Sequence, residues 1–288
     1  MKNFEIFLSL TRLNKPIGFM LLFWPCLWGL TIAHDFSENN SIFFKFSFLF
    51  FLGAILMRSA GCIVNDVLDR KIDLMVERTK NRPVASGQIS VKKALMLSAI
   101  LCLSALFILI QFNQKTIILG LASMPFAFSY PLMKRFTYWP QLFLGFTFNY
   151  GLIMAWVSLN DNLSYYPIVF YLGAIFWTLG YDTIYGFQDI KDDEIIGVKS
   201  TSIKFKKNPK IFIFSCYFFF YLSLILVGLL MAFSKFYFIF SLILLLQLFF
   251  FQVYSLNVDK PKDCIKRFKS NNILGFLVFI NILIGKIL

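Results

Sequence analysis

Nine long apolar segments, separated by polar connections, follow one another along the chain. They lie at 16–34, 42–64, 93–112, 115–133, 138–158, 166–187, 211–232, 235–256 and 271–287. Each is close to the ~20 residues that an α-helix needs to cross a bilayer. Their many phenylalanines favour strands by propensity, but a segment inside lipid must pair its own backbone groups, which favours helices. The pattern therefore predicts an all-α polytopic membrane protein with nine transmembrane helices.

The connection after the second apolar segment carries a cluster of oxygen-bearing side chains. The stretch GCIVNDVLDRKID contains Asn65, Asp66, Asp69 and Asp73. Offsets of four residues place Asn65, Asp69 and Asp73 on one helical face. Like charges at that spacing repel each other, whereas a hard divalent cation binds several oxygen ligands. The cluster therefore predicts a cation site, and the alternative is a solvated acidic loop.

A second acidic pair repeats this spacing further along the chain. Asp189 and Asp193 lie 120 positions after Asp69 and Asp73, respectively. Each pair follows a long apolar segment and precedes a basic segment that contains serine or threonine. Two copies of one arrangement at equal spacing indicate a duplicated unit. Two facing acidic clusters would hold metal ions between them, with a polyanionic ligand completing the coordination.

The duplication suggests how a single domain of residues 1–288 is organised. We expect two related halves at about 1–135 and 136–256, followed by a ninth helix at about 271–287. The ninth helix carries no motif of its own.

Composition supports an integral membrane protein. Hydrophobic residues make up 58% of the 288 residues, and the mean hydropathy is +0.71. A soluble protein of this length does not carry so much apolar surface, so we expect the lipid bilayer as its surroundings. The five cysteines lack CxxC spacing, and the single histidine, His34, ends the first apolar segment. These features argue against a zinc site, a disulfide framework and haem ligation.

Basic residues indicate how the chain is oriented in the membrane. Most of the 28 lysines and arginines fall in the N-terminal segment and in the connections that share its side of the membrane. The opposite side carries only Lys45, Lys115, Lys235 and Lys286. By the positive-inside rule, the N-terminus and both acidic motifs face the cytoplasm. The net charge of +13 is then a topology signal, and we expect no nucleic-acid partner.

The two longest polar connections combine acidic and basic side chains on one side of the membrane. They span 65–92 and 188–210 and contain both acidic motifs. Carboxylates for a metal ion, together with Lys and Arg for phosphate oxygens, are what a diphosphate site requires. The apolar helices beside them would accept a hydrocarbon tail. The pattern predicts a lipid diphosphate, with its head in the cytoplasmic cap and its tail between helices.

Two charged residues, Arg58 and Asp182, lie away from the ends of the apolar segments. Arg58 lies seven residues before Asn65, and Asp182 lies seven residues before Asp189. Charges at such positions are costly and mark functional sites. We expect Arg58 to contact a substrate or a motif carboxylate, although a snorkelling arginine is the alternative. Arg58 and Asp182 would either pair with each other or reach opposite ends of the substrates.

Several blocks along the chain resemble the UbiA superfamily of intramembrane prenyltransferases, in particular the bacterial branch that acts on 4-hydroxybenzoate. The blocks, in chain order, are RLNKPIG, LLFWPCLWGL, GCIVNDVLDRKID, RTKNRPVASG, YPLMKRFTYWPQ and YDTIYGFQDIKDDEIIGVKSTSI. Together, in this order and at this spacing, they are far more specific than a lone DxxxD pair.

The resemblance implies nine transmembrane helices around a central cavity, with a cytoplasmic cap that carries two Asp-rich motifs. It also implies that both motifs bind Mg²⁺ and, through it, a polyprenyl diphosphate. The implied metal-binding residues are Asn65, Asp66, Asp69, Asp73, Asp189 and Asp193.

The same resemblance implies transfer of the polyprenyl group to the ring of 4-hydroxybenzoate, ortho to its hydroxyl, for ubiquinone synthesis in a bacterial inner membrane. The expected catalytic residues are Asp69, Asp73, Asp189 and Asp193, with Asp182 as acceptor of the ring proton or partner of the hydroxyl. The expected substrate-binding residues are Arg58, Asn65, Arg135, Lys191 and Tyr185. Arg58, Arg135 and Arg12 compete for the benzoate carboxylate.

Two other functions fit parts of the pattern. A related enzyme would use another acceptor, such as naphthoate, homogentisate or haem, with the same acidic motifs. A transporter would be expected to place its ion ligands near the bilayer midplane, on interrupted helices. Here the acidic residues cluster beside a basic connection at one membrane face, which favours chemistry on a phosphate.

Overall fold

The computed structural model describes residues 2–288, and all regular secondary structure in that range is helical. The first half contains α1 (Lys2–Thr11), α2 (Ile17–Ala33), α3 (Ser41–Leu68), α4 (Arg70–Asp73), α5 (Val91–Leu109), α6 (Gln114–Ser129), a 3-10 turn (Tyr130–Leu132) and α7 (Met133–Phe136). The second half contains α8 (Pro140–Asn160), α9 (Tyr165–Gly186), a 3-10 turn (Phe187–Asp189), α10 (Ile190–Ile196), α11 (Thr201–Lys204), α12 (Pro209–Leu230), α13 (Lys235–Leu245), a π-helix (Leu246–Tyr254) and α14 (Pro261–Ile287).

The all-helical membrane architecture is confirmed. Within residues 2–288, eight helices are long and apolar enough to cross a bilayer, and all nine predicted apolar segments are mainly helical. The remaining apolar helix, α2, has 17 residues and is shorter than the ~20 of a typical crossing. The count of nine crossings therefore stays a prediction, as does the division into two related halves.

Trp28 on α2 lies at the centre of the helical bundle. Its indole is fully buried, lies 5.4 Å from the ring of Phe170 and 4.9 Å from that of Trp177, and donates a hydrogen bond to Gly275 O on α14. Because α2 packs against other helices on every side, it is apolar all round. A short central helix is thus held by its neighbours.

A close helix crossing fixes α2 against α8. Gly29 lies so near α8 that an added Cβ would collide with Leu152 O and approach Ala155 Cβ at 3.0 Å. Further helix pairs surround this crossing: α8 packs on α9, α9 on α12, and α3 on α5. Helices α5 and α6 leave most of their surface exposed, as expected for helices that face lipid.

Three polar connections meet at one end of the bundle and form a cap. They are the connection after α4, the connection that contains α7 and the connection after α10. The connection after α4 reaches the end of α9 through the ion pair between Arg78 and Asp189, at 2.5 Å. The connection after α10 reaches α7, where Lys199 N donates to Lys134 O at 2.8 Å. Both acidic motifs therefore lie at the same end of the molecule. Which side of a membrane this end faces stays a prediction.

Candidate active site

A polar cavity of about 580 Å³ lies beneath the cap. Its walls come from the turn between α1 and α2, the ends of α3 and α9, and the connections that form the cap. Seven of the predicted site residues line it: Arg58, Asn65, Asp66, Asp182, Tyr185, Asp189 and Asp193. The structure thus brings parts of both acidic motifs and both intramembrane charges into one space.

Four predicted site residues lie outside this lining. Asp69 and Asp73 are buried at 2% and 5% exposure, and each is ion-paired. Arg135 is half-exposed and donates to Leu68 O at 2.7 Å, where it caps the carboxyl end of α3. Lys191 is exposed on α10. The roles predicted for these four residues stay predictions.

A break in the helix separates the members of the first acidic motif. Helix α3 ends at Leu68, Asp69 adopts φ −94° and ψ 4°, and the short helix α4 then carries Asp73. Asn65 and Asp66 on the last turn of α3 line the cavity, whereas Asp69 and Asp73 do not. The sequence predicts Asn65, Asp69 and Asp73 on one helical face, but of these three residues only Asn65 lines the cavity.

Basic side chains neutralise the first motif. Arg12 donates to Asp66 Oδ1 at 2.5 Å, and Arg82 reaches the same oxygen at 3.2 Å. Arg82 also contacts both carboxylate oxygens of Asp73, each at 2.9 Å. Nη1 of one guanidinium thus bridges two motif carboxylates through charge-assisted hydrogen bonds.

Asp69 is paired with Lys134, which lies on α7. Burial raises the pKa of the Asp69 carboxyl above its ordinary value, and the ammonium group of Lys134 opposes that rise. A buried carboxylate without such a cation would be protonated more readily. Lys134 therefore favours the negatively charged form of Asp69.

Two motif oxygens are left for a further ligand. Asp66 Oδ2 and Asp69 Oδ1 are buried and accept no hydrogen bond from any group in residues 2–288. Carboxylate and amide oxygens of this kind are the ligands that Mg²⁺ and similar hard cations prefer. In that same range, however, no three acidic, histidine or cysteine side chains converge into a ready cation site. The carboxylate and amide oxygens of the motifs therefore fit a hard cation. In this structure, basic side chains pair with many of these oxygens.

The second motif begins on a tight turn at the end of α9. Asp189 belongs to the 3-10 turn Phe187–Asp189, and Asp193 follows on α10. Arg78 joins this motif to the first connection, because it donates to Asp189 Oδ2 at 2.5 Å and to the Tyr185 hydroxyl at 3.0 Å. Arg78 therefore holds the two halves of the cap together.

The intramembrane charges lie deeper in the same cavity. The guanidinium carbon of Arg58 is 5.3 Å from the centre of the Phe148 ring, and Arg58 Nε is buried without an acceptor among the described residues. Arg58 and Asp182 both line the cavity, yet no ion pair joins them within residues 2–288. An unpaired buried donor beside a polar cavity is suited to bind an anionic group.

A second, apolar cavity of about 200 Å³ adjoins the first. It lies between α3, α5, α6 and α8, and it shares Arg58, Tyr130 and Phe148 with the polar cavity. The shared residues mark the boundary between a charged compartment and an apolar one. Such an arrangement fits a ligand with a charged head and a hydrocarbon tail.

Three site cations, Arg78, Arg82 and Lys134, were not predicted from the sequence, and Arg12 was expected only as a candidate for the benzoate carboxylate. Arg12, Arg78, Arg82 and Lys134 all pair with motif carboxylates and line the polar cavity. The signal for Arg78, Arg82 and Lys134 was the density of basic residues in RTKNR and MKR. Such density does not show which residue of a block turns toward the cavity. In the second block, Lys134 reaches Asp69 Oδ2, whereas Arg135 caps α3.

Comparison with known proteins gives consistent relatives over nearly the whole chain. A mitochondrial 4-hydroxybenzoate polyprenyltransferase of Caenorhabditis elegans is 41% identical over 287 residues, covering 99% of this chain and 80% of the relative. 4-Hydroxybenzoate geranyltransferase 1 of Lithospermum erythrorhizon is 38% identical over 293 residues, covering 99% of this chain and 92% of the relative.

A solved structure shares the fold. It is a UbiA homologue from Archaeoglobus fulgidus bound to GPP and Mg²⁺, with a TM-score of 0.70, 16% identity and coverage of 98% of this chain and 100% of the other. The model of the UbiA prenyltransferase family matches residues 22–282. This match spans both acidic motifs, the residues that line the apolar cavity and most of those that line the polar cavity. The chain belongs to the UbiA prenyltransferase family.

Proposed function

We propose that this protein transfers a polyprenyl group from polyprenyl diphosphate to the ring of 4-hydroxybenzoate, ortho to the hydroxyl, in ubiquinone synthesis. The observation that carries the proposal is the meeting of a charged cavity and an apolar cavity at Arg58. That junction brings the head of a prenyl diphosphate, the start of its tail and an anionic acceptor to one place.

The relatives support the choice of acceptor. The polyprenyltransferase of C. elegans and the geranyltransferase of L. erythrorhizon differ in the prenyl group that they are named for, but both are named for 4-hydroxybenzoate. Because the two relatives share an acceptor but not a prenyl group, they support the identity of the acceptor better than that of the donor. This argues for 4-hydroxybenzoate over naphthoate, homogentisate or haem.

The diphosphate is expected to bind beneath the cap. Arg12, Arg78, Arg82 and Lys134 line the polar cavity and carry the positive charge that phosphate oxygens require. In the present arrangement these cations pair with the motif carboxylates. If a divalent cation took the carboxylates, the same side chains would be released to bind the diphosphate.

The site fits Mg²⁺ as that cation. Asn65, Asp66, Asp189 and Asp193 would hold it from the cavity wall, with Asp69 and Asp73 completing the first motif. When bound, Mg²⁺ would neutralise the diphosphate and make it a better leaving group. The A. fulgidus homologue bound to GPP and Mg²⁺ supports this assignment.

Aromatic side chains would stabilise the substrate as the carbon–oxygen bond breaks. Departure of the diphosphate leaves positive charge on the allylic carbon, and the cavity offers the rings of Tyr130, Phe148, Tyr181 and Tyr185. Their apolar surfaces also limit the water that would otherwise capture this carbon. The bond to the acceptor ring forms in the same space.

Arg58 is proposed to bind the acceptor, and Asp182 is proposed to accept its ring proton. The buried and unpartnered Nε of Arg58 suits the benzoate carboxylate. Once the ring attacks the prenyl carbon, the ring carbon must lose its proton. Asp182 lines the same cavity and is proposed to accept that proton. The apolar cavity is proposed to receive the polyprenyl tail.

An assay of turnover tests this function. Membranes that contain the protein should convert polyprenyl diphosphate and radiolabelled 4-hydroxybenzoate into prenylated hydroxybenzoate with Mg²⁺ present, and should stop when it is chelated. Asp189→Asn should lower the rate by about a hundredfold or more, whereas Asp161→Asn at the far end should not. Full turnover by Asp189→Asn, or in excess chelator, would contradict the proposed site.

The proposed location is a bacterial inner membrane, with the cap facing the cytoplasm. The excess of basic residues on the side of the cap supports this orientation. The animal relatives are named as mitochondrial enzymes.

A further inference from the structure

A group of buried polar side chains lies just behind the second acidic motif. Thr183 on α9, Thr201 and Ser202 on α11, and Gln141 on α8 are each at most 6% exposed. We refer to these four residues as the hydroxyl clamp. Buried polar groups of this kind stabilise one arrangement strongly, because any unpaired member is costly.

The hydroxyl clamp joins three helices through short hydrogen bonds. The hydroxyls of Thr183 and Thr201 are 2.7 Å apart. Thr201 N donates to Gln141 Oε1 at 3.0 Å, and Ser202 Oγ donates to Thr183 O at 2.8 Å. The segment after α10 is therefore fixed to both α8 and α9.

The bond from Ser202 changes how α9 ends. A continuing α-helix would direct Phe187 N–H to Thr183 O, whereas here Ser202 Oγ donates to that carbonyl. Phe187 N–H instead donates to Ile184 O, three residues back, and the chain tightens into the 3-10 turn that carries Asp189. Since the two helices advance about 100° and about 120° per residue, three residues of tighter turn rotate Asp189 by about 60°.

Gly186 leaves room for this contact. A Cβ on residue 186 would collide with Ser202 Oγ and lie 3.3 Å from Ser202 Cβ. The backbone of Gly186 has φ −66°, which any residue adopts, so space and not conformation requires glycine here. Glycine at this position is thus explained by the hydroxyl of Ser202.

The clamped segment also reaches the first acidic motif. Just before the clamp, Lys199 N donates to Lys134 O at 2.8 Å. Lys134 in turn pairs with Asp69. Fixing residues 199–202 therefore holds the cation of the first motif as well as the turn of the second.

We infer that the hydroxyl clamp positions Asp189 for the diphosphate head, with Thr183 and Ser202 as positioning residues that do not touch the substrate. Ser202 favours the 3-10 turn because its hydroxyl replaces Phe187 N–H as the donor to Thr183 O, and Gly186 leaves the space for that hydroxyl. The inference rests on the proposed function, in which the second motif helps to bind the diphosphate through Mg²⁺.

Removal of one hydroxyl tests the inference. Ser202→Ala frees Thr183 O, so that Phe187 N–H can return to it and turn Asp189 away. We expect kcat/KM for the prenyl diphosphate to fall about three- to tenfold, as for one lost hydrogen bond, with KM for 4-hydroxybenzoate unchanged. Ser158→Ala is the control, because Ser158 is buried and its hydroxyl donates only to Ala155 O in the same helix. Equal effects on both substrates, or an unaltered donor kcat/KM in folded Ser202→Ala, would overturn the inference.

A double-mutant cycle gives an independent test. Gly186→Ala alone should impair donor use more than Ser202→Ala does, because the new methyl group displaces Ser202. In Gly186→Ala/Ser202→Ala the colliding oxygen is gone, so the combined loss should be smaller than the product of the single losses. Multiplicative losses would show that the two residues act separately and would contradict the inference.

A binding measurement separates failure of the inference from failure of the proposed function. The shift in melting temperature on adding inorganic diphosphate with Mg²⁺ should be smaller for Ser202→Ala than for the wild type and Ser158→Ala. If the wild type turned over no prenyl donor but this difference in melting-temperature shift were observed, the proposed reaction would be contradicted and the positioning role of the hydroxyl clamp would be supported. If turnover were normal and the melting-temperature shift were equal in the wild type, Ser202→Ala and Ser158→Ala, only the inference about the hydroxyl clamp would be contradicted.

Discussion

At the scale of single residues, burial makes the motif carboxylates dependent on neighbouring cations. Asp66 is 1% exposed and Asp69 is 2% exposed, and each has a basic partner drawn from a different part of the chain. Removing one partner from a buried ion pair costs more than the pair contributes, because the other charge stays desolvated. The cations of the cap are therefore part of the site even before a substrate binds.

Lys134→Met should destabilise the protein in a pH-dependent way. The folded state already raises the pKa of Asp69, so it binds that proton more tightly than the unfolded chain does. Without the ammonium group the folded pKa of Asp69 rises further, so the destabilisation is larger near neutral pH than in mild acid, where protonation of Asp69 is more favourable. Melting temperatures at about pH 5 and about pH 7.5, with chelator, would measure this.

Lys45→Met is the matched control, because Lys45 is an exposed lysine on α3. A loss of stability in Lys134→Met that is the same at both pH values would contradict the electrostatic role of Lys134.

Arg58 should determine affinity for the acceptor. Arg58→Ala removes a charged donor from the polar cavity, and charged hydrogen bonds contribute about 1.5–3 kcal/mol, so KM for 4-hydroxybenzoate should rise at least about tenfold. Arg58→Lys should recover part of this loss, because the charge remains but the forked geometry does not. Steady-state kinetics with each substrate varied in turn would measure both effects.

KM for the prenyl diphosphate should stay within about twofold in both variants, and Arg70→Ala, at an exposed arginine, should resemble the wild type. An acceptor KM unchanged in Arg58→Ala would remove Arg58 from the acceptor site.

At the scale of elements, helix ends bring the chemistry together. The apolar pattern predicts where helices run, because burial and backbone pairing depend on local composition. The break after Leu68 and the tight turn at Phe187 were not predicted, because they depend on contacts from distant segments. Ser202, for example, acts on the carbonyl of Thr183 from another connection. Sequence therefore identified the acidic motifs but not which of their members face the cavity.

The apolar cavity should limit the tail of the donor. Gly53 lines this cavity, and an added Cβ would meet no atom within 4 Å. Gly53→Leu would fill space about 7.5 Å along α3 from Arg58, so it should impair long polyprenyl donors more than a geranyl donor. Comparing kcat/KM for the two donors would measure this selectivity.

Gly53→Ala, which adds one methyl group, is the control and should be milder for both donors. If Gly53→Leu reduced the use of both donors by the same factor, the tail would follow another path.

At the scale of the whole molecule, the fold followed from periodicity and composition, whereas the assembly of the cap did not. Long apolar segments can only be helices in lipid, so the architecture was predictable. The pairing of Arg78 with Asp189 joins residues 111 positions apart, and no local pattern reports such a contact. The length of α2 also departs from expectation, because a helix enclosed by other helices need not match the bilayer thickness.

The orientation of the cap is testable with two introduced cysteines. Glu77 is exposed in the cap, and Glu38 is exposed at the opposite end of α3. In bacterial cells, a membrane-impermeant thiol reagent should label Glu38→Cys from outside and Glu77→Cys only after lysis. The wild type is the control, since its five cysteines are buried or half-buried. The reverse pattern of labelling would place the cap outside the cytoplasm.

The most direct test of the central claim is a competition between acceptors. Purified protein would receive one polyprenyl diphosphate, Mg²⁺ and equal amounts of 4-hydroxybenzoate, dihydroxynaphthoate and homogentisate, and the products would be separated and analysed by NMR. We predict prenylated 4-hydroxybenzoate as the main product, with the new bond ortho to the hydroxyl. Preferential prenylation of another acceptor would contradict the account of the acceptor, and no product with a validated donor would contradict the reaction itself.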